Sequence, residues 1–221
     1  MTTRAPHVAI VDYGLGNLFS IQRACEQAGL SVSITSDAAK LETSDAVLLP
    51  GVGAFATAME SLQNLGLTGP VKELALSGKP LIGICLGMQL LMTESREFGR
   101  CAGLGLIEGT VERLPGGGGT GLKVPHVGWS PICEPVPGAW RGTLFDGVEN
   151  KAYMYFVHSY YVRPKDEGTI LSKSRFGERD FCSAIGRGTI MGCQFHPERS
   201  GPEGLRIYRN IHRLLSEGEI E

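Results

Sequence analysis

Residues 81–89, Leu81-Ile-Gly-Ile-Cys-Leu-Gly-Met-Gln89, join a short apolar run to a glycine-flanked cysteine. The run is typical of a buried strand, and the residues from Gly87 to Met92 predict the start of a helix. With serine in place of Cys85, the centre of this segment would be the G-x-S-x-G nucleophile elbow, in which a sharp strand-to-helix turn lifts the nucleophile above a sheet. A helix N-terminus beside a thiol also favours the thiolate. The segment therefore predicts a nucleophilic Cys85, although a single buried cysteine is more often structural.

The chain on either side of this segment predicts an α/β fold. Before it, strand-like runs alternate with helical patterns, which indicates a mostly parallel central sheet flanked by helices. These runs are residues 7–12, 32–35 and 46–49, and the first helix follows the N-cap candidate Asn17. After it, strand-like runs without intervening helices predict an added antiparallel sheet. They are residues 109–114, 152–162, 170–174 and 181–185, and residues 202–215 predict a last helix. We expect residues 1–221 to form a single domain.

The composition of the chain excludes several classes of protein and several kinds of partner. The chain has 221 residues and a formal net charge of −2. This balance argues against a nucleic-acid partner, and the longest apolar stretch, residues 80–92, is too short to span a bilayer. None of the six cysteines forms a C-x-x-C pair, and the N-terminus does not resemble a secretion signal. We therefore expect a reduced, cytoplasmic protein with no metal, no cofactor and no membrane partner. The glycine run at residues 116–119 is expected to be a surface loop.

A cysteine nucleophile needs a base, and the best candidate among the five histidines is His196 in Gln194-Phe-His-Pro-Glu198. Pro197 biases His196 to an extended backbone, in which residues two apart point to the same side. Glu198 can then accept a hydrogen bond from one ring nitrogen of His196 and leave the other nitrogen to face Cys85. That arrangement follows the logic of a catalytic triad in its Cys-His-Glu form. On its own, the segment would be interpreted as a surface turn.

Two glycine-containing turns follow predicted strands. The turn Pro50-Gly-Val-Gly53 can bring a backbone N–H close to a substrate and join the Leu86 N–H as an oxyanion donor, although a plain turn fits the same residues. The second turn, Asp12-Tyr-Gly-Leu-Gly-Asn-Leu-Phe19, partly matches the dinucleotide-binding pattern G-x-G-x-x-G, with Asp37 at the end of the next strand. Because Phe19 stands at the third glycine position, we favour a tight strand-to-helix turn.

Together these segments resemble the class I (triad) glutamine amidotransferases, whose elbow and His-Pro-Glu motif match residues 83–89 and 194–198. Further segments are similar to one group within that class, the glutaminase subunits of imidazole glycerol phosphate synthase. These segments are Asp12-Tyr-Gly-Leu-Gly-Asn-Leu18, Leu49-Pro-Gly-Val-Gly-Ala-Phe55, Val124-Pro-His-Val-Gly-Trp129 and Tyr155-Phe-Val-His-Ser-Tyr-Tyr161. The resemblance runs from about Val8 to the last helix and implies the flavodoxin-like fold of class I glutaminases.

The resemblance implies hydrolysis of L-glutamine to L-glutamate and ammonia. The ammonia would pass to a cyclase subunit, a (β/α)₈ barrel of the HisF type, which forms a heterodimer with this chain and builds an imidazole ring in histidine biosynthesis. Cys85 would form a thioester, His196 would transfer protons and Glu198 would orient His196. The implied substrate-binding residues are Val52, Gly53, Leu86, Gln89, Ser159 and Tyr160. The N–H groups of Leu86 and of the Val52-Gly53 loop would form the oxyanion hole, and the resemblance implies a rearrangement of this loop coupled to the partner's ligand.

Two positions depart from the common family pattern, namely Arg199 in place of lysine and Ser130 in place of asparagine. Two other functions remain open. One is an amidotransferase with a different partner, such as a CTP-synthase-like domain, which uses the same elbow. The chain's short length and the motif that begins at Asp12 weigh against it. The other is a non-catalytic binding module that keeps the fold, against which the intact Cys-His-Glu set weighs.

Overall fold

The computed structural model describes residues 4–116 and 122–218, and its elements alternate between strand and helix up to the elbow. The elements of this first part are β1 (His7–Val11), α1 (Leu18–Gln27), β2 (Ser31–Thr35), α2 (Ala38–Glu42), β3 (Ala46–Leu49), α3 (Phe55–Asn64), α4 (Thr68–Leu76), β4 (Leu81–Ile84) and α5 (Leu86–Leu90). The later elements are mostly strands: β5 (Met92–Ser95), β6 (Cys101–Ala102), β7 (Ile107–Arg113), β8 (His126–Pro131), β9 (Tyr153–His158), β10 (Tyr160–Pro164), β11 (Ile170–Phe176), β12 (Arg179–Arg187), β13 (Ile190–Cys193) and the helix α6 (Gly201–Glu217).

The strands form one large mixed sheet and a small hairpin. The order in the large sheet is β2-β1-β3-β4-β13-β12-β10-β7-β5-β6, with β11 beside β12. Strands β2, β1, β3, β4 and β13 run parallel, and β12, β10 and β11 pair with their neighbours antiparallel. The predicted α/β class, with a parallel core and antiparallel strands in the second half, is confirmed. The antiparallel strands continue the parallel sheet, while β8 and β9 pair apart from it.

The parallel strands are covered on both faces. Along β1, Val8 and Ile10 point into one apolar cluster and Ala9 and Val11 into another, as the alternation of a strand requires. Helices α1 and α6 cover the first cluster, and α3 and α4 cover the second. Each large side chain buried in these clusters contributes about 1.5–3 kcal/mol of transfer free energy. The burial therefore fixes the sheet register, and with it the edge at which β1, β3, β4 and β13 end.

Helix α1 begins and ends where its sequence predicts. The side chain of Asn17 accepts a hydrogen bond of 3.4 Å from the Ser20 N–H, as an N-cap does. Gly29 follows the helix with a φ of +88°, which L side chains rarely adopt. The turn between β1 and α1 is stabilised locally, because an Asp12 carboxylate oxygen accepts from the Gly14 N–H at 3.1 Å. Asp37 caps α2 through the Ala39 N–H at 3.0 Å. The carboxylates of Asp12 and Asp37 thus stabilise local turns by accepting hydrogen bonds from nearby backbone N–H groups.

Two predicted elements differ from the structure. Residues 87–92 were expected to start a helix, but α5 already ends at Leu90, because the carbonyls of Leu90 and Leu91 accept hydrogen bonds of 2.8 and 2.9 Å from the N–H groups of Leu104 and Leu106. These tertiary bonds stop the helix and let Met92 begin β5. The strand predicted over residues 152–162 is two strands, β9 and β10, which separate at Ser159 and pair with different partners.

One prediction falls partly outside the residues that the structure describes. Of the glycine run expected as a surface loop, residues 117–119 lie outside them. Among the helices of residues 4–116 and 122–218, none combines the length and apolar character needed to cross a membrane. All six cysteines are free thiols.

Candidate active site

Cys85 occupies a strained turn between β4 and α5. Its φ of 55° and ψ of −111° lie outside the regions that residues other than glycine normally adopt. Such a conformation persists where the surrounding structure holds it, and it is concentrated at functional sites. Here the Cys85 N–H donates a hydrogen bond of 2.8 Å to the Cys193 carbonyl at the end of β13. The turn thus holds the thiol at the edge where the parallel strands end, as predicted for an elbow.

The glycines on each side of the elbow are required by packing. A Cβ atom on Gly83 would lie 2.6 Å from the backbone nitrogen of Met88. A Cβ atom on Gly87 would lie 1.7 Å from the carbonyl oxygen of Leu49. Because these are backbone atoms of buried elements, no side-chain rotation can relieve the overlap. The prediction that the glycines permit close backbone approach is confirmed.

His196 and Glu198 form a buried pair beside the elbow. Strand β13 is parallel to β4, with Cys193 opposite Ile84, so the chain after β13 leaves the sheet next to Cys85. His196 Nδ1 lies 2.8 Å from Glu198 Oε1, and the two side chains are 5% and 0% exposed. His196 has the predicted extended backbone, but Pro197–Arg199 forms a 3₁₀ turn that brings Glu198 back to the ring. The predicted contact is present, and the turn rather than strand alternation produces it.

The electrostatics of His196 follow from this placement. Burial acts to lower the pKa of its imidazole, but the interactions of the ring with Cys85 and with the Glu198 carboxylate outweigh burial and raise the pKa to about 10. Because Nδ1 faces Glu198, the proton for exchange with a substrate is held at Nε2. Nε2 is itself buried and makes no hydrogen bond within the described part of the chain. The ring is therefore held in one orientation by Glu198 while its second nitrogen stays available.

A cavity of about 320 Å³ opens in front of Cys85. All six substrate-binding residues named from the sequence line it: Val52, Gly53, Leu86, Gln89, Ser159 and Tyr160. Glu97, Pro125, Val157 and His158 complete its wall. The elbow, the loop after β3 and the break between β9 and β10 therefore meet around one space, which is large enough for a small amino-acid substrate.

The sequence indicated Leu86 and the Val52-Gly53 loop as sources of oxyanion donors. The Leu86 N–H donates a hydrogen bond of 3.3 Å to the Gly51 carbonyl oxygen, so this donor is engaged by the chain itself. A hydrogen bond from β1's side stabilises the loop that carries Gly51, because the buried Tyr13 hydroxyl donates to the Pro50 carbonyl at 2.5 Å. Gly53 has a φ of +104°, which gives the loop a conformation that a larger residue would resist.

Gln89 lines the cavity, but its amide is engaged by the protein. Its Nε2 donates to the Tyr160 carbonyl at 2.9 Å and to Gln194 Oε1 at 3.0 Å. Sequence reasoning missed Gln194 as a site residue, although the residue stands in the quoted His-Pro-Glu segment. The side-chain Nε2 of Gln194 donates a hydrogen bond to the Cys85 sulfur at 3.7 Å.

Of the four wall residues that the sequence did not indicate, Val157 and Glu97 make contacts that matter for the site. The Val157 carbonyl accepts from the Cys85 thiol at 3.9 Å, a contact between segments 72 residues apart that no local pattern indicates. Glu97 places a carboxylate at the cavity, and its Oε2 accepts from the Phe55 N–H at 2.6 Å. A lone glutamate after a strand carries no signal by which the sequence could have singled it out.

Comparison with known proteins gives the class to which this fold and site belong. Residues 9–213 match the family model described as Glutamine amidotransferase class-I. A crystal structure of a glutamine amidotransferase aligns with a TM-score of 0.71 at 20% identity, over 95% of this chain and 98% of that chain. The structure of PurLQS from Thermotoga maritima aligns with a TM-score of 0.72 at 18% identity, over 96% of this chain and 100% of that chain. At these identities the structures support the fold alone. By the family match, the chain belongs to the class I glutamine amidotransferases.

Relatives with higher sequence identity indicate the group within this class to which the chain belongs. The imidazole glycerol phosphate synthase subunit HisH of Moorella thermoacetica is 45% identical over 208 residues, covering 94% of this chain and 95% of that protein. The protein of the same name from Syntrophotalea carbinolica is 45% identical over 209 residues, covering 92% of this chain and 98% of that protein. These relatives place the chain among the HisH subunits, as the resemblance of its motifs predicted.

Proposed function

We propose that this chain hydrolyses L-glutamine to L-glutamate and ammonia as the glutaminase subunit of an imidazole glycerol phosphate synthase. The observation that carries the proposal is the placement of a strained Cys85 between a buried His196–Glu198 pair and a cavity of about 320 Å³. A nucleophile, a base and an orienting carboxylate are the parts that acyl transfer from an amide requires.

In the proposed mechanism, the Cys85 sulfur attacks the carboxamide carbon of glutamine. His196 Nε2, which already carries a proton because the pKa of the ring is raised to about 10, donates it to the amide nitrogen, so that ammonia leaves and a glutamyl thioester remains. His196 next takes a proton from the water that attacks the thioester, and the Cys85 sulfur leaves as glutamate is released. Glu198 keeps its hydrogen bond to Nδ1 throughout and stabilises the imidazolium, which gives its proton to the departing ammonia and regains one from water.

The oxyanion of each tetrahedral intermediate needs hydrogen-bond donors. We assign the N–H of Leu86 and an N–H of the Val52-Gly53 loop to this role. The Leu86 N–H can serve only after the Gly51 carbonyl moves away from it. A basal state of low activity, relieved by movement of the loop, follows from that single hydrogen bond.

The rest of the cavity suits the two ends of an amino acid. Backbone groups at Ser159 and Tyr160, with Gln89 behind them, would hold glutamine against the elbow. The Glu97 carboxylate at the cavity is suited to the α-ammonium group, because the opposite charges attract most strongly away from bulk water. No metal or cofactor takes part in the proposed steps.

We also propose that the chain forms a heterodimer with a cyclase of the (β/α)₈-barrel type and delivers ammonia to it. Alternate side chains of the β8–β9 hairpin form an exposed surface beside the elbow: Val127, Trp129, Tyr153 and Val157 are 58%, 53%, 61% and 38% exposed. Arg199 stacks over the Tyr155 ring at 4.8 Å. Exposed aromatic groups with an adjacent arginine favour a protein interface. We further propose that residues 1–221 are one domain acting in the cytoplasm, without nucleic-acid or membrane partners.

Acid quenching during turnover, followed by peptide mass spectrometry, tests the proposed chemistry. We expect one glutamyl group on the peptide that carries Cys85, and no adduct in Cys85→Ala. Cys101→Ala is the matched control, because Cys101 is partly exposed and lies outside the cavity. Turnover without an adduct on Cys85, or with an adduct on another cysteine, would contradict the proposal.

A further inference from the structure

Two buried histidines outside the triad connect the β8–β9 hairpin to the cavity. His126 on β8 and His158 at the end of β9 stand opposite each other, with His126 Nδ1 3.1 Å from His158 Nε2. The second nitrogen of His158, Nδ1, lies 2.9 Å from the Tyr160 carbonyl oxygen, and the second nitrogen of His126, Nε2, lies 2.9 Å from Ser130 Oγ. Each imidazole thus has a hydrogen-bond partner at both of its ring nitrogens.

The direction of these hydrogen bonds is determined by their last member. The Tyr160 carbonyl can only accept, so His158 donates from Nδ1 and a neutral His158 must accept at Nε2. His126 therefore donates from Nδ1 and accepts at Nε2, which leaves the Ser130 hydroxyl as the donor at the start. Burial lowers the pKa of His158 to about 3 and also lowers the pKa of His126, so both rings are neutral near neutral pH.

Aromatic packing holds the two rings in place. Phe156 stacks on His126 with ring centroids 5.1 Å apart, and Phe181 contacts His158 at 5.2 Å. His126 is 8% exposed and His158 is 6% exposed. With water largely excluded, breaking one of these hydrogen bonds would leave a buried polar atom without a partner, which costs more than the bond itself contributes.

The series of hydrogen bonds continues to the nucleophile. The Tyr160 carbonyl that accepts from His158 also accepts from Gln89, at 2.9 Å in both cases. Gln89 then donates to Gln194, whose amide lies 3.7 Å from the Cys85 sulfur. An unbroken path thus leads from Ser130 to the cavity wall. Residues 127 and 129 of the same strand point outward, whereas His126 is buried.

We propose that Ser130, His126 and His158 are positioning residues for the glutamine site, which hold the Tyr160 carbonyl and thereby the Ser159-Tyr160 backbone that faces the substrate. The inference rests on the proposed function, because it assigns glutamine to that backbone. It gives a definite role to Ser130, which departs from the usual family residue, because the Ser130 hydroxyl supplies the donor that the buried acceptor nitrogen His126 Nε2 requires.

Nitrogen-15 NMR of the imidazoles tests the hydrogen-bond order without reference to catalysis. In the wild-type chain at neutral pH, we expect both His126 and His158 as Nδ1–H tautomers. In Ser130→Ala, His126 Nε2 loses its donor while Nδ1–H still donates to His158, so we expect both tautomers to be kept and the nitrogen-15 resonance of His126 Nε2 to move downfield, as for an imidazole nitrogen that no longer accepts a hydrogen bond. Ser130→Thr keeps the hydroxyl and should restore the wild-type pattern. Finding Nε2–H on either ring of the wild-type chain would overturn the proposal.

Glutamine affinity gives the functional half of the test. In a Cys85→Ala background, where glutamine is not consumed, calorimetry should give a Kd about three- to tenfold higher for Ser130→Ala than for Ser130→Thr, as expected for one lost hydrogen bond. In chains that retain Cys85, KM should rise by a similar factor while kcat changes by less than about twofold. Unchanged affinity, or a loss confined to kcat, would overturn the positioning role. A wild-type chain that binds glutamine but does not turn it over would instead refute the proposed function, while the tautomers and the Kd still decide the inference.

Discussion

The backbone N–H of Leu86 donates a hydrogen bond of 3.3 Å to the carbonyl oxygen of Gly51. Leu86 follows Cys85 directly, and we propose that its N–H is one of the two donors to the oxyanion. The proposed triad therefore lies beside a proposed oxyanion donor that is already hydrogen-bonded to the chain itself. Since loss of one such donor lowers the rate by about 10²–10³-fold, we expect the isolated subunit to be slow while this hydrogen bond is made.

Replacement of Cys85 by alanine should abolish glutamine hydrolysis without unfolding the chain. Removal of a nucleophile in a triad costs about 10⁶-fold in kcat, whereas a small side chain keeps the packing of the turn. Glutamate release measured with a coupled assay, alongside near-ultraviolet circular dichroism, checks both parts. Turnover that survives the substitution in a folded chain would remove Cys85 from the mechanism.

Glu198→Gln should lower activity less than His196→Ala does. The glutamine side chain keeps the shape of a fully buried residue but loses the charge that stabilises the imidazolium, whereas alanine removes the group that transfers protons. By comparison with other triads, we expect the orienting residue to cost about 10- to 100-fold less in kcat than the base. Steady-state kinetics of the two variants give the ranking, and an equal or larger loss in Glu198→Gln would refute it.

Gly87→Ala should prevent stable folding, because its Cβ would lie 1.7 Å from the Leu49 carbonyl. Gly69 is the matched control: it lies in α4, where an added Cβ meets nothing within 4 Å. Gly69→Ala should be neutral or raise the free energy of unfolding by up to about 1 kcal/mol, since alanine favours a helix over glycine. Urea denaturation compares the two, and a Gly87→Ala chain as stable as the wild type would show that the elbow packs differently.

Acid should destabilise the fold through His158. Burial lowers the pKa of this ring to about 3, compared with an ordinary value of 6.5. Between these two values the unfolded chain binds a proton that the folded chain excludes, so the free energy of unfolding falls as the pH falls. The contribution of His158 approaches about 1.4 kcal/mol per pH unit across that interval. Urea denaturation of wild type and His158→Gln between pH 7.5 and pH 5 should show a shallower dependence in the variant. Identical slopes would contradict the placement of a neutral His158 in the core.

Much of the site could be predicted because its parts are local in sequence. The elbow is a five-residue pattern, and its glycines are explained by contacts with Met88 and Leu49. His196 and Glu198 are two residues apart, so any compact turn brings them together. The parallel core follows from alternating strand and helix patterns, which depend on side-chain periodicity alone.

The features that could not be predicted depend on contacts between segments that are distant in the sequence. The Val157 carbonyl at Cys85 and the pairing of His126 with His158 join residues 72 and 32 positions apart. Helix α5 ends early because carbonyls at Leu90 and Leu91 are captured by later residues, which no helix signal reports. Strand β13 is a short run that the sequence pattern does not distinguish, yet it places His196 next to the nucleophile.

Glutamate release from glutamine shows whether the partner gates the site, when it is measured for the chain alone and then with a (β/α)₈-barrel cyclase and that cyclase's nucleotide ligand. Because the Leu86 donor is occupied in the isolated chain, we expect low activity alone and an increase of about 10²-fold or more when both are added. Equal activity in the two conditions would contradict a site gated by its partner. An inactive chain in both conditions would contradict the glutaminase assignment itself.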